Sequence, residues 1–68
     1  MKTVQTPGPL MRLSIANKVA ELRGKSDTYL EVVADGARMR AEQATEDYER
    51  VYFTAFAGAV EALRKEQS

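Results

Sequence analysis

Any catalysis by this chain would have to rest on Ser14, Ser26, Ser68 and the carboxylates, because its 68 residues include neither histidine nor cysteine. A serine hydroxyl is a weak nucleophile until a neighbouring base accepts its proton, and the usual imidazole base and thiol alternative are both missing. No enzymatic activity is therefore expected. Glu42, Glu46 and Glu49 fall within two helical turns, but nothing resembling a calcium-loop pattern surrounds them, so they read as a solvated face and no metal is expected. Gly8, Gly24, Gly36 and Gly58 lack the spacing that cradles phosphates, and no nucleotide or other cofactor is implied.

What remains is the chemistry of association. The stretch from Tyr48 to Leu63 holds every aromatic residue except Tyr29 and offers water only Glu49, Arg50, Thr54 and Glu61. A helix made from it is apolar over most of its circumference and needs cover. Tyr48, Tyr52 and Phe56 recur at four-residue steps on one face, while Phe53, Ala57 and Val60 line the next. Tyr48, Val51, Tyr52, Phe53, Phe56, Val60 and Leu63 are accordingly the expected surface for self-association or for docking another protein, tyrosine being enriched at interface hot spots.

The competing reading uses charge. Lysine and arginine together number 10, as do aspartate and glutamate, so a general attraction to nucleic acid or anionic lipid is not expected. The distribution is uneven, however: up to residue 25 Glu21 is the only acid, and the rest of the chain is acidic. Arg12, Lys18, Arg23 and Lys25, joined by Arg38 and Arg40, form a candidate basic patch, which would make the chain a small DNA-associated transcriptional regulator working through its first helix. Asp27, Glu31 and Asp35 argue against it, since they would meet phosphate just after the turn.

These groups have to be positioned by helices. Residues 1–8, with Thr6-Pro7-Gly8, read as a flexible lead-in, and 9–68 as a single helical domain. Pro9 suits a first helical position and Gly24 a C-terminal cap, which sets a first helix over about 9–23. Met11, Ile15, Val19 and Leu22 form its main apolar stripe; Leu10, Leu13, Ala16 and Ala20 form a second, so two neighbours are expected. Ser26, Asp27 or Thr28 can cap the next helix, with Thr28 and Glu31 matching a capping box.

Beyond Thr28 there is no proline. The row Leu30, Val33, Ala37, Ala41, Ala44, Tyr48, Val51, Ala55, Gly58, Ala62 keeps helical phase through Gly36, which favours one long second helix over about 27–66. Such a helix spans roughly 60 Å at about 1.5 Å per residue, far beyond the reach of the first. The short link between the two makes them antiparallel neighbours, with helix 1 lying over Leu30 to about Met39. The expected fold is then an all-α helical hairpin whose bare second arm dimerises, with Ala44, Ala55, Gly58 and Ala62 allowing close approach. The alternative is a break near Thr45 and a three-helix bundle.

With no apolar run after Lys2 and no stretch near the roughly 20 residues a membrane span needs, neither secretion nor membrane insertion is expected, and a cytoplasmic location is. The functional expectation is a non-enzymatic, self-associating helical module that regulates or inhibits a partner protein by covering its surface.

Overall fold

Three helices account for almost all of residues 7–68, the part of the chain described by the computed structural model. The first, α1, spans Pro9–Leu22. Pro9 has no N–H to satisfy, and the extended Gly8 before it accepts the Arg12 N–H at 2.9 Å. The helix ends where Arg23 turns extended and Gly24 takes a φ of +88°, a conformation that favours glycine. Residues 1–6, most of the expected flexible lead-in, lie outside the described residues.

The second helix, α2, spans Asp27–Gln43. Its cap is Ser26, whose Oγ accepts the Tyr29 N–H at 3.1 Å. The Thr28–Glu31 capping box does not form, because Ser26 takes that role and Thr28 is already helical.

The continuous second arm is not observed. Ala44 and Glu46 are both extended, with ψ of 136° and 139°, and a third helix, α3, begins at Asp47 and runs to Gln67. The break is the one anticipated near Thr45. Arg50 secures it by donating to the Ala44 carbonyl at 3.1 Å and to the Asp47 carboxylate at 2.9 Å. The physical reason for the break is cover: folding back lets the apolar stretch bury side chains that a straight arm would leave in water.

α3 runs antiparallel to α2, as the pairing of Asp27 with Arg64 and the closeness of Ala41 to Ala57 show. Most of the tertiary contact in the molecule lies between these two helices. α1 packs mainly on α3 and hardly touches α2, contrary to the expectation that it would lie over Leu30 to Met39. It runs parallel to α3: Met11 lies near Tyr52, Ile15 and Val19 near Ala55 and Ala59, and Arg23 pairs with Glu66. Among the described residues no helix is long and apolar enough to cross a membrane.

The core is thin. Leu30 and Ala34 of α2 meet Val60 and Leu63 of α3, with Val19, Leu22, Val33 and Phe56 packed around them. Ala37, Ala41 and Ala57 are buried too, and α1 contributes Ile15. Leu30 and Val60 are the largest side chains fully removed from water.

Polar contacts close the end of the bundle where α3 returns to the α1–α2 turn. Arg64 grips Asp27 through two bonds, Nε to Oδ1 at 2.9 Å and Nη2 to Oδ2 at 3.0 Å. The Gly24 N–H donates to Gln67 Oε1 at 2.9 Å, and Gln67 Nε2 donates to the Lys25 carbonyl at 3.2 Å. Farther along, Arg38 bridges Asp35 and Glu61. The hydrogen bonds from Arg64 hold the Asp27 carboxyl below its ordinary pKa of 3.8, partly offset by desolvation and reinforced by the Arg64 charge.

Leu30→Ala removes the side chain around which α2 and α3 meet. Its expected cost, about 2–5 kcal/mol, is a large part of the roughly 3–10 kcal/mol available to a domain of this size, so urea denaturation should show most of the cooperative transition lost. The Asp27–Arg64 clasp gives a pH signature. Because the folded-state pKa of Asp27 is depressed, its contribution is present above the ordinary carboxylate pKa and disappears as pH falls through the lower folded value. Between pH 5 and pH 2 the melting temperature of Asp27→Asn should therefore fall less steeply than that of the wild type.

Candidate interaction surface

The aromatic stretch is divided between the inside and the outside of the molecule. Val60 and Leu63, expected on an association surface, are buried in the monomer's own core, and Phe56 packs against it. Folding back has used them. Val51 is half-buried beside Arg50, Thr54 and Ala55 on another side of α3. Tyr48, Tyr52 and Phe53 remain at the N-terminal end of the helix, where cover is incomplete: Tyr48 keeps 64% of its surface exposed, and the other two are half-buried.

The rings of Tyr52, Phe53 and Phe56 are mutually ordered. Tyr52 meets Phe53 edge-to-face, with centroids 5.1 Å apart and planes at 83°, and stacks nearly parallel to Phe56 at 6.1 Å. Aromatic quadrupoles favour both arrangements, so the side chains hold one another in place. The Arg40 guanidinium lies 5.7 Å from the Phe53 centroid. Met11, brought in by α1, joins Tyr48, Glu49, Tyr52 and Phe53 around an open depression of about 320 Å³ whose wall is almost wholly apolar. Sequence spacing could place Tyr48, Tyr52 and Phe56 on one helical face. It had no means of bringing Met11 to them, which depends on α1 running parallel to α3.

The basic residues are dispersed. Arg23 pairs with Glu66 at 3.0 Å, Arg38 with Asp35 and Glu61, Arg40 covers Phe53, and Lys25 lies 5.5 Å from the Tyr29 centroid. Arg12 borders the groove between α1 and α3 together with Pro7, Ile15, Ala16, Val19, Ala55 and Ala59, and Lys18 is exposed. The structure thus spends most of the candidate patch on internal contacts.

A second apolar surface lies on α1. The expected two neighbours are reduced to one: α3 covers Ile15 and partly covers Met11, Val19 and Leu22, whereas Leu10 is 83% and Leu13 58% exposed, with Ala16 and Ala20 exposed in the same row. Val32 and Met39 are likewise exposed on α2. Of the small residues expected to permit close approach, Gly58 and Ala62 are exposed on α3 and Ala55 is half-buried, while Ala44 belongs to the interhelical turn. Among the described residues no three acids come together as a cation site, and no buried side-chain nitrogen or oxygen lacks a partner.

No family model, curated protein or solved structure matches this chain.

Proposed function

We propose that the chain is a non-catalytic, cytoplasmic helical module that self-associates and regulates or inhibits a partner protein by covering part of its surface. The observation that carries this reading is the open aromatic corner of Tyr48, Tyr52 and Phe53 with Met11. It is an ordered apolar depression that the bundle leaves uncovered although the fold had other apolar residues to bury. Rigid aromatic side chains lose little conformational freedom on binding, which suits them to an interface centre. Self-association is supported by the Leu10–Leu13 row on α1, which the bundle leaves exposed, together with a core of mostly small side chains.

A photo-crosslinker at position 48 should join the chain to one predominant protein in cells. The activity of that protein should be inhibited by the wild type and spared by Tyr52→Ala, with Arg12→Ala/Lys18→Ala behaving as wild type. An unaffected activity would overturn occlusion. In sedimentation equilibrium over a wide concentration range the wild type should associate, and Leu10→Asp/Leu13→Asp should remain a monomer with an unchanged helical circular-dichroism spectrum.

A further inference from the structure

The aromatic corner has a chemical preference. Its wall is apolar, yet it includes Glu49, the one carboxylate among its lining residues, half-buried and in no ion pair among the described contacts. Arg50, the next residue along α3, is already committed to Asp47 and to the Ala44 carbonyl. An anionic group over a carbon wall excludes an acidic ligand. It also disfavours a plain hydrocarbon, which would desolvate a carboxylate without pairing it.

The structure further shows which cation the rings accept. Arg40 already holds its guanidinium 5.7 Å from the Phe53 centroid, so this cluster receives a planar cation within the distance at which ring quadrupoles attract one. Arginine combines the two properties required: a methylene stem that lies along apolar surface, and a weakly hydrated, planar charge that pairs with carboxylate and stacks on aromatic faces. Lysine shares the stem but carries a compact, strongly hydrated charge.

We propose that the depression formed by Met11, Tyr48, Glu49, Tyr52 and Phe53 is a docking site for an arginine side chain of the partner protein, the stem crossing the rings and the guanidinium pairing with Glu49. The proposal rests on the protein-binding reading above and names the chemistry of the group that enters the site.

The test is a two-dimensional NMR titration of the full chain with the capped tripeptide Gly-Arg-Gly, at low salt, alongside the same peptide carrying citrulline or norleucine. Citrulline keeps the shape of arginine without its charge, and norleucine keeps only the stem. Saturable shifts confined to Met11 and residues 48–53 are expected with arginine, with about tenfold weaker binding for either analogue, equivalent to about 1.4 kcal/mol. Glu49→Gln, which keeps the size and shape of the side chain and removes its charge, should bring arginine down to the level of citrulline, and added salt should do so in part. Equal binding of norleucine or citrulline, or no saturable shift at these residues up to the solubility of the arginine peptide, would overturn the assignment. Because occlusion is read separately, from the inhibited activity and its loss in Tyr52→Ala, failure here is distinguishable from failure of that reading.

Discussion

The close approach of α2 and α3 is the constraint on which the rest of the molecule depends. Ala34, Ala37 and Ala41 are spaced at three and four residues along α2 and are all buried, with Ala57 buried on the facing side of α3. Alanines in such a row let two backbones come together at small cost in side-chain entropy, but each brings little apolar area. The seam therefore works as a guide. It sets the separation at which Leu30 can meet Val60 and Leu63, and those larger side chains supply most of the hydrophobic gain. A bulkier residue in the row would force the helices apart and expose the same three side chains, which is why overpacking is as damaging here as a cavity.

That seam also explains why the sequence suggested a single long arm. The row from Leu30 through Ala41 and on to Tyr48, Val51, Ala55, Gly58 and Ala62 keeps helical phase, and its first half does face the core. In α3 the row that faces the core is a different one: Ala57, Val60 and Leu63, with Phe56 beside them. The extended residues Ala44 and Glu46 reset the phase, so that the small residues Gly58 and Ala62 turn outward. Periodicity alone weighs small and large apolar residues alike and cannot choose between two interleaved rows. Burial can, because a valine or leucine gains far more than an alanine on leaving water. Helix ends were more legible: Pro9 and Gly24 stand where α1 begins and ends, and Ser26 was among the residues expected to cap α2. The α2–α3 turn has no proline or glycine to announce it. It is held by Arg50 reaching back six residues to the Ala44 carbonyl, a side-chain contact that hydrophobic periodicity does not register.

The candidate surface was legible to the extent that it is local. Tyr48, Tyr52 and Phe56 share a face by spacing alone, and the stacking of Tyr52 on Phe56 follows from the helix. Assigning Val60 and Leu63 to an outer surface failed for the same reason as the long arm, since a partner within the chain was available once α3 folded back. The cations show the complementary limit. Composition marks the first part of the chain as basic, but Glu66, the partner of Arg23, and Glu61, one of the two partners of Arg38, lie on α3, 43 and 23 residues away, and no local pattern reveals them.

α1 is the least secured of the three helices. It contributes only Ile15 to the buried core, contacts α3 rather than α2, and is fastened at one end by Arg23–Glu66 and by the bonds between Gln67 and the Gly24–Lys25 turn. Its other end carries Met11, which forms one wall of the aromatic depression. Occupying that depression and seating the first turns of α1 are therefore linked events. A ligand that needs Met11 in place binds the seated form and stabilises it by RT ln(1 + [L]/Kd), while the outward Leu10–Leu13 row moves with the same turns of helix. A second copy packed on that row would hold α1 against α3 and so preorganise the aromatic corner, which would couple self-association to partner binding with positive sign.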